Sequence, residues 1–224
     1  MDGEALLLSA RLAAATTVLL LLIAVPLASW LTSTRRRWAV VVEAVVALPL
    51  VLPPTVMGYY LLVALGARSP LGRAWEDLTG STLAFSFTGL LVASVLYSLP
   101  FAVQPLLVAF AAVDSRLLEA SAVLGRGRIA TLAHVVLPLS RAGLATAAVL
   151  TFAHTVGEFG VVLMVGGSIP GETRTASIAV YDSVQAFDYG EAARTSLVLL
   201  AFSLVVLTTT YALQRNRTRS WLPS

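Results

Sequence analysis

Residues 114–141 read DSRLLEASAVLGRGRIATLAHVVLPLSR, a polar interlude between two long apolar stretches. The chain has 58% hydrophobic and 12% charged residues and a mean hydropathy of +0.85, so few of its segments are able to meet a soluble partner. This one carries Arg116, Glu119, Arg126, Arg128 and Arg141. Asp114 or Ser115 is placed to N-cap a short helix running to Leu124, which Gly125 and Gly127 break; a second short helix over 129–136 is ended by Pro138. Leu117, Leu118 and Leu124 make one side of this knob apolar, suited to a groove, while the arginines fix its orientation.

Outward from the interlude, five stretches are long and apolar enough to cross a bilayer: 12–31, 39–65, 83–113, 142–165 and 192–213. Each crossing needs about 20 mostly apolar residues. The predicted fold is an all-α membrane protein in a single domain, 8–214, followed by a short tail, 215–224, with no appended regulatory domain. The first stretch does not read as a cleaved signal, because Asp2 and Glu4 precede it and the positive cluster comes after it.

Arginine placement sets the orientation. Ten arginines fall on one side: Arg35, Arg36, Arg37, then Arg116, Arg126, Arg128 and Arg141, then Arg215, Arg217 and Arg219. The other side has five (Arg11, Arg68, Arg73, Arg174 and Arg194), interleaved with acidic residues. The arginine-rich side is cytosolic by the positive-inside rule. The N-terminus is therefore expected outside, and the 114–138 loop and the C-terminus in the cytosol.

Two spans carry clustered prolines: Pro49, Pro53 and Pro54 with Gly58 in the second, Pro100 and Pro105 around Phe101 and Gln104 in the third. Proline frees a helical carbonyl that needs a protein or water partner in a membrane. These helices either line a pathway or are bent for packing. In the fourth span, FAHTVGEFG holds His154 and Glu158, four apart, on one helical face and placed to pair. Counted from Pro138 at 1.5 Å per residue, Glu158 lies about 30 Å along the helix, toward the outer half of the membrane. It reads either as a gate or packing contact, or as an interfacial carboxylate. The external loop 166–191 begins with Gly and Pro and then predicts a surface helix over 175–187.

There is no cysteine, and two isolated histidines make no metal centre. No phosphate loop is present either, since Gly125-Arg126-Gly127 is too short and lacks the Lys-Ser/Thr pair. The chain is expected to bind no metal, nucleotide, other cofactor or nucleic acid, and to hydrolyse nothing.

The interlude resembles the loop that defines permease subunits of binding-protein-dependent ABC importers. In that family Glu-Ala-Ala, three residues, Gly, nine residues, an aliphatic residue, one residue and Leu-Pro occur in that order. Here Glu119, Ala120, Ser121, Gly125, Val135, Leu137 and Pro138 take those places. The resemblance implies a type I importer transmembrane domain of five spans, built as a homodimer with two cytosolic ATPases that supply ATP and Mg, and an external solute-binding protein. It makes Glu119, Ala120, Ser121, Gly125, Arg126, Arg128, Leu137 and Pro138 the ATPase-coupling residues, with Arg126 and Arg128 meeting either acidic ATPase residues or phospholipid headgroups.

LPLVLPPTVMGYYLL in the second span, GEFG at 157–160 and IPGETRT at 169–175 narrow the resemblance to the molybdate permease branch, where an Arg commonly stands at the place of His154. Resemblance to that branch implies ATP-driven oxyanion import across the plasma (inner) membrane of a prokaryote by alternating access, with molybdate first and sulfate or tungstate as alternatives. Pro53, Pro54, Thr55, Ser98, Pro100, His154, Thr155 and Glu158 are the pathway or gate candidates. Of these, the hydroxyls of Thr55, Ser98 and Thr155, with backbone N–H groups at broken-helix ends, are suited to a tetrahedral dianion. An ion-coupled secondary transporter is the alternative class; it calls for a coupling-ion site and internal repeats, and the sequence offers neither.

Overall fold

The computed structural model describes residues 2–34 and 36–218, with 211–218 as backbone alone; Arg35, Arg219 and the end of the tail lie outside the described residues. Every regular element described is helical.

The first helix, α1 (Gly3–Ser33), is started by Asp2, whose carboxylate accepts from the Ala5 N–H at 3.0 Å. Its buried positions Leu12, Thr16, Leu20, Ala24, Ala28 and Leu31 recur every three or four residues, giving one stripe. That stripe packs against α5 (Phe87–Ala111) and α9 (Arg141–Gly157), which also pack on each other. Small residues make the seam: Ala24 and Ala28 of α1, Ala102 of α5, Ala147 of α9. Between helices in lipid, close backbone approach of this kind supplies the attraction that water would otherwise drive. Gly143 marks the tightest point, where an added Cβ overlaps that of Ala109 and comes within 3.3 Å of the Pro105 carbonyl.

The second apolar stretch is two helices, α2 (Ala39–Val51) and α3 (Pro54–Leu65), set at 112°. Pro53 has extended backbone and Pro54 opens α3, so the pair of prolines breaks the helix instead of bending it. The fourth stretch breaks too. After α9, Glu158 is extended, and a short α10 (Gly160–Gly166) resumes the path. Its half-helix packs on α3: a Cβ on Gly58 falls 2.8 Å from the Met164 Cβ, and one on Gly160 falls 2.7 Å from the Pro54 Cβ. The segments beyond the two breaks therefore meet.

The remaining elements are α4 (Pro70–Thr79), α6 (Ser115–Val123), α7 (Arg128–Thr131), a π-helical turn over Leu132–Val136, α8 (Leu137–Leu139), α11 (Ala176–Gln185) and α12 (Tyr189–Thr218). Three helices, α1, α5 and 189–210 of α12, are each long and apolar enough to cross a membrane. The count reaches five if each of two bent pairs is one span: α2 with α3, and Arg128–Leu139 with α9. The second of these pairs differs from the predicted 142–165 stretch. Pro138 follows the π-helical turn directly, and the helical run goes one residue past it to Leu139 before turning by 79° at Ser140. Ser140 Oγ donates to the Ala109 carbonyl at 3.2 Å, satisfying an end group of α5. The helix predicted over 175–187 is α11, shorter than predicted, with Thr175 as its N-cap.

Candidate functional site

The elbow, α6 to α8, is built as a closed turn. Asp114 caps α6 by accepting from the Arg116 N–H at 2.9 Å. At the far end the Gly125 N–H donates to the Ala122 carbonyl at 2.9 Å and the Arg126 N–H to the Ser121 carbonyl at 3.1 Å. These two bonds, with Gly125 at φ +77°, form a Schellman cap. Nothing lies within 4 Å of a Cβ added at Gly125, so it is the left-handed backbone that asks for glycine there. Ser121 is buried, and its hydroxyl pairs with that of Thr131 at 2.9 Å, tying α6 to α7. Glu119, Ala120, Arg126, Arg128 and Pro138 are exposed, and Leu137 is half-buried. Around Gly125 the tip presents Val123, Leu124 and Ile129, which are 88, 77 and 84% exposed. Grouped aliphatic side chains this exposed are unusual on a surface that faces only water.

A second polar group lies inside the α1–α5–α9 seam. His154 Nδ1 is 2.9 Å from Ser98 Oγ, which is 3.1 Å from Thr155 Oγ1, which donates to the Thr151 carbonyl at 2.9 Å. Placing a proton on Nδ1 lets each member donate to the next and satisfies all three contacts. The imidazole stacks on Phe101 at 3.8 Å and lies beside Tyr97 at 5.2 Å. The predicted His154–Glu158 pairing does not form. The helical period ends at Gly157, so the four-residue spacing no longer places the two on one face. The Glu158 carboxylate, 4% exposed, lies near Ser94 Oγ, but neither carboxylate oxygen meets the distance and angle of a hydrogen bond. Its backbone carbonyl accepts from Ser177 Oγ at 2.5 Å.

Ser98 and Thr155 are buried and spend their hydroxyls on this chain. Thr55, by contrast, is exposed in the first turn of α3, beside Pro53 and Pro54, while Pro100 is buried in α5. Ser98→Ala is expected to leave His154 without its partner and to lower stability by about 1–3 kcal/mol. Thermal unfolding of the purified chain, with His154→Phe and the double variant completing a cycle, measures it.

The IPGETRT segment has a structural role. Thr173 is fully buried, donates to the Gly166 carbonyl at 2.7 Å and accepts from the Ile169 N–H at 3.1 Å. Arg174 is ion-paired with Asp2 at 3.3 Å and with Asp182 at 3.2 Å, and the Ala176 N–H donates to Ser9 Oγ at 2.8 Å. The loop is thereby fastened to the start of α1. Thr173→Val leaves the buried Gly166 carbonyl and the part-buried Ile169 N–H without this partner, with an expected loss of about 1–3 kcal/mol. Faster proteolytic cleavage within 166–175 is the readout.

Sequence reasoning missed Thr131, whose pairing with Ser121 spans ten residues, and Ser94 and Thr16, buried hydroxyls without partners. The pairing of Ser98 with His154 spans 56 residues and leaves no local signal. Among the described residues no three of His, Asp and Glu come together as a metal site.

The described fold is a helical bundle in which two broken helices meet at their resumed halves and a capped elbow joins α5 to α9. Residues 14–220 match the family described as binding-protein-dependent transport system inner membrane component, and the chain belongs to it. It is 51% identical over 214 residues to the molybdenum transport system permease protein ModB of Azotobacter vinelandii, covering 96% of this chain and 95% of that protein. With ModB of Escherichia coli (strain K12) it shares 38% over 165 residues, 74% of this chain and 72% of that one. In fold it is similar to a bacterial ABC transporter involved in the import of the acidic polysaccharide alginate, with a TM-score of 0.75 at 15% identity, over 95% of this chain and 78% of the other.

Proposed function

We propose that the chain is the permease subunit of an ATP-driven molybdate importer, working as a homodimer with two cytosolic ABC ATPases and an external solute-binding protein. The observation that carries this reading is the 51% identity, almost end to end, to a molybdenum transport permease. In this reading the membrane is crossed five times, with the N-terminus outside and the tail in the cytosol. The elbow tip of Val123, Leu124 and Ile129 fills a groove of the ATPase, Glu119 pairs at its rim, and Ala120 and Gly125 admit close approach. Leu137 and Pro138, where the chain turns toward α9, carry the elbow's displacement into the bundle. ATP-driven closure of the ATPases moves both elbows and opens the path outward, and hydrolysis returns it inward.

The path runs along α3 and α10, whose packing depends on Gly58 and Gly160. Thr55 and the backbone at the two breaks pass the dianion. The seam of Ser98, His154 and Thr155 holds α5 and α9 together during the cycle, and Glu158 sits at the hinge between α9 and α10. Selectivity lies mainly with the binding protein. Reconstituted complex supplied with molybdate, tungstate or sulfate, each on its binding protein, tests the assignment. ATP-dependent uptake with molybdate preferred is expected; uptake without ATP, or sulfate alone, contradicts it.

A further inference from the structure

Ser29 and Ser33 near the end of α1, Phe110 near the end of α5, and Arg126, Arg128 and Thr131 of the elbow line one cavity of about 360 Å³. Neither arginine is ion-paired among the described residues, and no Asp or Glu lines the cavity. The neighbouring Asp114 is occupied in capping α6. Arg36 and Arg37 follow the lining residue Ser33 closely in the chain. Trp30 and Trp38, on either side of that arginine run, meet with ring centroids 4.7 Å apart and planes tilted by 38°, and such amphipathic rings favour a headgroup boundary. The rest of the lining is largely apolar, with Leu118, Leu132 and Val136 among it.

We propose that this cavity binds the phosphate of an anionic phospholipid headgroup from the cytosolic leaflet. Two unpaired guanidiniums supply the planar donor forks that phosphate oxygens fit. The serine and threonine hydroxyls line the polar end, and the apolar wall faces the acyl chains. The surface potential of an anionic leaflet draws the same groups toward it. The site joins α1, α5 and the elbow, so a lipid held there bridges the bundle to the element that meets the ATPase. Placing the cavity at the cytosolic leaflet rests on the proposed orientation, with the N-terminus outside and the elbow in the cytosol.

The test uses the full permease–ATPase complex, extracted from vesicles of phosphatidylglycerol and phosphatidylcholine, with retained lipid identified by native mass spectrometry. Wild type is expected to retain phosphatidylglycerol selectively. Arg126→Gln with Arg128→Gln weakens retention about five-fold per arginine removed, as expected for a basic residue at an anionic surface. Arg126→Lys with Arg128→Lys keeps most of it, and Arg73→Gln changes nothing. Equal retention by the double glutamine variant overturns the proposal. So does displacement of the lipid by inorganic phosphate alone, which makes the cavity a free-oxyanion site. Orientation is read separately, by labelling Ser33→Cys with a membrane-impermeant thiol reagent in intact cells. Labelling from outside removes the orientation and leaves the anion chemistry standing.

Discussion

Gly125→Val is expected to cut ATP-coupled uptake by tenfold or more while the chain still inserts into the membrane. Gly125 closes α6 at φ +77°, and the cap holds Arg126 back against Ser121. A residue with a Cβ in the left-handed region costs about 1–2 kcal/mol, and a β-branched one fares worst. The last turn of α6 then unwinds and carries Val123 and Leu124 away from the docking geometry. Gly125→Asn tolerates that backbone and is expected to recover most of the activity. Stimulation of the ATPase by the permease, measured beside uptake, separates lost coupling from lost protein. Full coupling in the valine variant contradicts the docking assignment.

Gly143→Leu is expected to prevent stable packing of α5 on α9. A single added carbon at Gly143 already overlaps Ala109 and crowds the Pro105 carbonyl, and the latter is backbone that has no rotamer to change. Overpacking of this kind costs about 1–3 kcal/mol, and more where backbone must move. Because α5 and α9 are two of the three helices that form the main seam, the loss is global: protein accumulates poorly, and what is purified melts earlier. Gly143→Ala gives a smaller shift in the same direction. Ala109→Gly combined with Gly143→Ala restores stability if the Cβ overlap is the cause.

Long apolar stretches and the elbow were legible in the sequence because each rests on a local signal: length and composition for the helices, spacing for the elbow. The break at Pro53 and Pro54 was visible as a proline pair, although its 112° angle was not. The break at Glu158 has no proline, and a helical period carried across it produced the expected His154–Glu158 pair that the structure replaces with His154–Ser98. Pro138 reads as a terminator, and the helical run from Arg128 ends one residue beyond it, at Leu139. The IPGETRT segment, read as a substrate signature, contains the threonine that braces the 166–175 loop and the arginine that fastens it to the start of α1. Side-chain pairings across helices depend on which faces meet, and a single sequence does not encode that locally.

The central claim is that a cytosolic elbow of this chain is held and moved by a separate ATPase. Leu124, at the exposed tip, provides the direct test through a Leu124→Cys variant in the otherwise cysteine-free chain. A membrane-impermeant thiol reagent is expected to label it only in inside-out vesicles, and assembly with the ATPase to protect it. Labelling from the outside of intact cells, or equal labelling with and without the ATPase, contradicts the account.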